Sequence, residues 1–377
     1  METREPKRGR GVPKETPSQN SIAALESVLA EHFSGVSWNS LGAVLEEKKF
    51  FQAGMQRQVR MMAETAAGMV GERYEKSTLI QALSSSPVEK IRGVAAFSVP
   101  IVYPGDLQAQ LQALYLTGGL EGAWPRELSA TVLHGLIIQH GAASILPLVR
   151  DWIHDPAPAI RRLVAESFRP RGVMLAHITA LKQDPAPLKA ILEPLLDDEA
   201  DYVRKAVANN INDVSRENPE VVLNWVAEWM TPDASKERRW IMSRALRTLV
   251  NKGHPTALQI LGYTHASALA VTWKATTPAR IVINQLVPFE FELVNLLESE
   301  ALVLLMLFMD EPGKGQARRK SRYQIWKGKI KAHGSKSVSK RIHFVDKSSR
   351  PKEPGVYRLS VTVNGETLEE RETVFSR

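Results

Sequence analysis

Apolar residues recur at helical spacing from about residue 21 to about 265, and beyond about 270 they switch to strand-like alternation. Ile22, Leu25, Val28 and Leu29 form one helical stripe, and Leu41, Val44 and Leu45 begin another. Phe33, Trp38, Phe50 and Phe51 fall among these stripes and read as core. Ser86-Pro87 is a helix-start signal, and Tyr103-Pro104-Gly105 a loop. Residues 107–150 should fold as two or three helices, parted by Gly118-Gly119, Gly122 and Trp124-Pro125. Further on, RRWIMSRALRTLV (238–250) predicts a basic helix, Gly253-His254-Pro255 ends it, and TALQILGY closes the helical part. Segments 286–295, 301–309, 322–331, 337–345, 355–365 and 372–377 alternate as strands, with a tight hairpin turn at Asn364-Gly365.

The helical part is built on a repeat that is clearest between 155 and 217. DPAPAIRRLVAESFRPR and DDEADYVRKAVANNINDVSRENP each begin with an acidic turn. Each then opens a helix with a branched apolar residue and paired bases. Ile160-Arg161-Arg162 recurs as Val203-Arg204-Lys205, 43 positions later, and Ile91-Arg92 is a weaker copy. Two helices in about 40–47 residues is the HEAT-type period. Such units bury their apolar faces only against their neighbours and so stack into a solenoid. The expected architecture is mainly α. A HEAT-like α-α superhelix, a right-handed solenoid, spans 21–268, and an all-β Ig-like sandwich of six or seven short strands spans 269–377. Residues 1–20 carry bases and turn formers without an apolar pattern and read as a disordered tail.

Composition narrows the function classes. The 377 residues suffice for two or three domains, and 44% hydrophobic content supports a large core. There is no cysteine, which removes disulfides and thiolate chemistry. The longest strongly apolar run, Ala301–Met309, is too short to span a bilayer, and no apolar stretch backs the basic N-terminus. These features suit a cytoplasmic protein. The nine histidines show no metal-ligand spacing, and DEPGKGQARRKS lacks the spacing of a nucleotide loop. No metal or cofactor is expected. Net charge is +8, but it is concentrated. Between 311 and 352, fourteen Lys/Arg face two acids, a local surplus of twelve that leaves the rest of the chain at −4. With Tyr323, Trp326 and His333 interleaved, this stretch points to contact with a nucleic-acid backbone. Such contact positions a duplex without reading its sequence.

The strings IRRLVAESFRPR, DYVRKAVANNINDVSRENPE and RALRTLVNKGHPTALQILGY resemble the AlkC branch of the AlkC/AlkD-like HEAT-repeat DNA alkylation repair glycosylases. The resemblance is tight over roughly 150–265. It implies hydrolysis of the N-glycosidic bond of cationic methylated bases, with 3-methyladenine first and 3-methylcytosine as a second candidate, in double-stranded DNA and without base flipping. It also agrees with a C-terminal Ig-like domain. Glu166 occupies the family's Ser-Glu-Gly position, and Asp213 its Asn-Leu-Asn-Asp position. The resemblance makes these two the catalytic carboxylates.

The chemistry suits that assignment. As the base departs, positive charge develops on the deoxyribose, and a carboxylate beside C1′ stabilises it. From spacing alone, Glu166 could equally form a helical salt bridge to Arg162 or Arg169, and Asp213 could cap a helix starting near Val214. Candidate DNA ligands are Arg162, Arg169, Arg171, Arg204, Lys205 and Arg244 in the helical part, and Arg318, Arg319, Lys320, Lys327 and Lys329 in the strands. Arg161 belongs to the same pool. Asn209, Asn210 and Asn212 could face DNA or tie one repeat to the next. The sequence also departs from the family. Its upstream glutamate falls on Thr131, its Arg-Pro pair there is missing, and Met174 stands where it has tryptophan. Glu127 is close to Thr131 but out of register and is not assigned to the site. Two functions remain, a glycosylase and a catalytically weak or inactive DNA binder on the same scaffold; a monomer is expected for either.

Overall fold

The computed structural model describes residues 19–172, 175–274, 278–313, 315, 317–346 and 351–377. The tail expected at 1–20 lies, up to residue 18, outside the described residues; Gln19 already begins a helix. The helices are α1 (Gln19–His32), α2 (Leu41–Glu47), α3 (Met55–Val70), α4 (Ser77–Ser84), α5 (Glu89–Val102), α6 (Leu107–Gly119), α7 (Ala123–His140), α8 (Ala142–Val149), α9 (Pro158–Ser167), α10 (Thr179–Gln183), α11 (Lys189–Leu192), α12 (Asp201–Val214), α13 (Pro219–Trp229), α14 (Lys236–Ala245), α15 (Arg247–Asn251) and α16 (Pro255–Ile260). The strands are β1 (Leu269–Trp273), β2 (Arg280–Val282), β3 (Leu286–Asn295), β4 (Ala301–Pro312), β5 (Arg318–Ile330), β6 (Ser335–His343), β7 (Gly355–Val363) and β8 (Glu366–Ser376). The architecture is a HEAT-like α-α superhelix followed by an Ig-like pair of sheets.

Two compact units are present. One runs to Asn218 and takes in Asp233–Ala245; the other comprises Pro219–Pro232 and Leu246–Arg377. In the first, α5, α7, α9, α12 and α14 pack side by side in that order. One arginine near the start of each sets the repeat. Arg92, Arg126, Arg161, Arg204 and Arg239 all donate to a carbonyl five or six residues upstream, in the turn before their own helix. Three of these turns are closed by a side chain that accepts the amide two residues on: Ser86 from Val88, Asp155 from Ala157 and Asp198 from Ala200. The guanidinium satisfies turn carbonyls that water would otherwise have to reach. These arginines are 34, 35, 43 and 35 residues apart. The period of 43 read from the sequence is thus the longest interval, stretched by α10, α11 and the turns around them.

In the second unit, β1-β3-β6 form one sheet and β2-β8-β7-β4-β5 the other. Trp273, Phe289, Phe291, Leu305, Tyr357 and Phe375 lie in their shared core. The predicted strand at 286–295 coincides with β3. β1 and β2, of five and three residues, escaped the pattern, and β8 begins at Glu366, six residues before the predicted strand at 372–377, its first half being without a buried residue. Asn364 and Gly365 have φ 46° and 90°, so the predicted hairpin turn is there. Its glycine has a second cause, since a Cβ at Gly365 would lie 2.4 Å from the Gly253 carbonyl oxygen. Helices α13, α15 and α16 belong to this unit, which is therefore larger than its β region.

Candidate active site

The repeated arginine dictates which residue comes next on each helix. The position after it is Glu127 on α7, Arg162 on α9, Lys205 on α12 and Trp240 on α14. One turn further on stand Thr131, Glu166, Asn209 and Arg244. Neighbouring helices thus present matching positions to one another, and a connected cluster of charge forms across α7, α9 and α12.

Glu166 and Asp213 meet through Arg169. Arg169 Nη1 lies 2.5 Å from Glu166 Oε1, and its Nη2 2.7 Å from Asp213 Oδ2. Arg169 is only 6% exposed. Arg162 continues the chain, with Nη2 2.7 Å from Glu127 Oε1 and 3.4 Å from Glu166 Oε2. Its Nη1 donates to the Tyr202 carbonyl at 3.0 Å, and its guanidinium lies 4.1 Å from the centroid of the Tyr202 ring. The Tyr202 hydroxyl donates to Glu127 Oε1 at 3.3 Å. Glu166 Oε2 is buried and, among the described residues, accepts no hydrogen bond.

Burial pushes the carboxyls of Glu127 and Asp213 above the ordinary range, with Arg162 and Arg169 respectively pulling the other way. Burial opposes the charge on Arg162, but Glu166 and Glu127 outweigh it and hold the guanidinium above its ordinary value. Arg169 is raised in the same way by Glu166 and Asp213. The Tyr202 phenol is pushed up to about 12 by burial. This is a fixed, largely dry arrangement of formal charges, the kind of environment that stabilises charge developing on a bound group.

Residues at and beyond the end of α9 are tied back to α7. His134 on α7 reaches the Ser167 carbonyl with Nδ1 at 2.8 Å and the Ala176 carbonyl with Nε2 at 2.9 Å. A Cβ on Gly172 would come within 3.0 Å of His134 Cε1, so only glycine passes this close. Met174 lies outside the described residues.

Several expected roles change. Arg162 and Arg169, expected to face DNA, are buried among carboxylates, Arg162 between Glu127 and Glu166 and Arg169 between Glu166 and Asp213. Arg204 is taken up by the Asp198 and Glu199 carbonyls, and Arg161 by the Asp155 carbonyl and the Asp198 carboxylate. Asp213 lies inside α12 and is no helix cap. The helical salt bridges of Glu166 are present, together with the link to Asp213. Arg171 pairs with Glu217, and Lys205 with Asp201. Arg244 lies 5.6 Å from the ring centroid of Trp240, which is 40% exposed. Asn210 and Asn212 tie repeats together through the carbonyls of Ala165 and Ala245.

In the strands, Arg318 is drawn to Asp310 and Arg319 to the carbonyls of Pro312 and Pro351. Lys329 pairs with Glu300, Lys327 lies 5.6 Å from the Tyr263 ring centroid, and Lys320 is exposed on β5. Sequence reasoning set Glu127 aside as out of register and passed over Tyr202. The signal for Glu127 was its place directly after Arg126, matching Arg162 after Arg161; Tyr202 had none. Thr131 lies one turn beyond Glu127 and turns its hydroxyl back to the Glu127 carbonyl at 2.9 Å.

The helical ladder and the Ig-like sheets each have counterparts among known proteins. Residues 127–249 match the DNA alkylation repair enzyme family, and residues 270–376 match the C-terminal Ig-like domain of the uncharacterised protein YhaZ. YhaZ of Bacillus subtilis (strain 168) is 34% identical over 216 residues, 57% of this chain and 59% of that protein. The match thus spans about three fifths of that relative's length. The fold is shared with the Pseudomonas fluorescens alkylpurine DNA glycosylase AlkC, solved bound to DNA containing an abasic-site analogue. The TM-score is 0.79 at 20% identity, covering 94% of this chain and 97% of that one. AlkD2 from Streptococcus mutans aligns with a TM-score of 0.45 at 20% identity, over 61% of this chain and 97% of its own. Among the described residues, no helix is long and apolar enough to cross a membrane.

Proposed function

We propose that the protein is a DNA N-glycosylase of alkylation repair, acting on cationic methylated bases in duplex DNA. The observation that carries this is the pairing of Glu166 and Asp213 on one buried guanidinium, with Glu166 Oε2 left as an unbonded acceptor. The bond from C1′ to the base nitrogen breaks with its electron pair going to the base, which leaves neutral. The positive charge left on the sugar is stabilised by Glu166, with Asp213 behind it. Water adds at C1′, and its proton passes to a carboxylate and then to solvent. A base already cationic needs no general acid, so 3-methyladenine is the first substrate to examine and 3-methylcytosine the second. Nor does such a base need a deep pocket that would donate a proton to it, which suits attack without flipping the nucleotide out. The enzyme acts as a monomer and without a cofactor in this reading. The exposed bases of β5 hold the phosphate backbone.

A second reading, a DNA binder without activity, is favoured by Thr131 standing where the resemblance puts a glutamate. Base release from N-methylated duplex DNA separates the two, measured for the wild type, Glu166→Gln and Asp213→Asn. The glycosylase reading expects release of 3-methyladenine by the wild type, and a loss of about a hundredfold or more in each variant, with DNA affinity kept. Tight binding with no release by the wild type would establish the second reading.

A further inference from the structure

Glu127 is the carboxylate that leaves the directly paired groups, among the described residues, with one acid in excess. Glu166 and Asp213 alone would be balanced by Arg162 and Arg169; with Glu127 there are three carboxylates to two guanidiniums. Two more cations stand at the margin: Arg126, 5.8 Å from the Tyr202 ring centroid, and Arg216, which acts on Asp213 through its charge. Arg126 donates to the Leu120 carbonyl at 3.1 Å and keeps its charge, so the excess acid belongs to the directly paired groups alone.

The geometry also gives Glu127 a hold on Glu166. A single nitrogen, Arg162 Nη2, faces both acids, closer to Glu127 Oε1 at 2.7 Å than to Glu166 Oε2 at 3.4 Å. The Tyr202 carbonyl and ring fix the same guanidinium from the side of α12. Were Glu127 uncharged, Arg162 would move toward Glu166 Oε2, the acceptor that is otherwise unbonded.

We infer that Glu127 is a positioning residue that draws Arg162 away from Glu166 and tunes the cluster to bind a positively charged group, the cationic base and the sugar as it becomes cationic. This rests on the glycosylase reading for its biological substrate, but it can be tested without turnover. The probes are duplexes carrying either a 1-azaribose, a protonated abasic analogue, or the neutral tetrahydrofuran analogue. The wild type should prefer the cationic duplex by about tenfold, the effect of one net charge acting through a partly dry site. Glu127→Gln keeps the shape and still accepts from Arg162 and Tyr202, so the fold should stand. It should lower the preference to about twofold or less while leaving affinity for the neutral duplex unchanged. Glu127→Asp should recover part of it. A brace between helices would weaken both duplexes alike.

A Gln variant that keeps the wild-type preference overturns the inference, and so does a wild type that shows none. Base release, assayed in parallel, reports separately on the glycosylase reading. Release with an unchanged preference in Glu127→Gln sinks only the inference. A charge-dependent preference without release sinks only the enzyme.

Discussion

In the helical unit, the side chains of Arg162 and Arg169 are 12% and 8% exposed, and each is held between two carboxylates. On β5, Lys320, Arg322 and Lys327 stand on the solvent side of the edge strand of the five-stranded sheet. Both regions are dense in cations, yet in the first the guanidiniums are held by fixed acids, while β5 carries six bases and no acid of its own. Fixed, dry charge acts on what a bound group becomes, whereas exposed unbalanced charge acts on whether a polyanion binds at all. Variants in the two regions should therefore fail in different measurements.

The largest effect belongs to the helical cluster. Glu166→Gln should reduce single-turnover base release by about 10²–10³-fold at saturating enzyme, with DNA affinity kept. Loss of affinity in place of rate would erase the division between the two regions.

Next comes a control within the helices. Arg161 and Arg162 are adjacent in sequence but have different duties. Arg161 braces its own turn and reaches Asp198 of the next repeat at 2.7 Å, with side chains 11% and 4% exposed. Arg161→Ala should cost roughly 3 kcal/mol of unfolding free energy in urea, since it strands a buried carboxylate. Normal release per folded molecule would confirm that its duty is structural; wild-type stability would contradict it.

The contrast between these neighbours shows what the sequence could and could not reveal. The brace is local, reaching five or six residues back, so it leaves a motif of acidic turn, branched residue and arginine that is visible in the sequence. The site is assembled from contacts spanning 35 residues for Glu127–Arg162, 44 for Arg169–Asp213 and 75 for Tyr202–Glu127. They exist only once the repeats have stacked. Glu166 and Asp213 were singled out on the resemblance, which carries long-range information that spacing along one helix does not. Glu127 was passed over because it was compared with Thr131 along one helix and not with Arg162 across two. In the sheets, β3 was clear from alternation of apolar and polar residues. β1, β2 and the start of β8 were hidden by shortness or by acids on the exposed face.

A smaller effect is expected in the strands. Replacing Arg322 and Lys327 together by alanine should weaken binding to undamaged duplex about tenfold near physiological salt and make the plot of log K against log salt shallower by about two. The saturating rate of base release should stay as it was. An unchanged salt slope would mean that these strands do not meet the backbone, and that the surplus serves only solvation.

The smallest effect is the most discriminating. Burial holds the Asp213 carboxyl above its ordinary value, the Arg169 charge only partly offsetting it. Between the unfolded and the raised folded value, the folded state binds the proton more strongly. Stability therefore falls as pH rises through that window, and remains lowered above it. Glu127 contributes with the same sign. Asp213→Asn still offers Arg169 an acceptor oxygen but removes the buried charge, so Tm at neutral pH should equal or exceed the wild-type value, with a shallower decline between acid and neutral pH. Thermal scans across pH would show it. A variant that melts lower at neutral pH, with the slope unchanged, would make Asp213–Arg169 a brace of the same kind as Arg161–Asp198. A variant that melts no lower while losing base release would show that the charge is kept at a cost to stability, as a group held for chemistry would be.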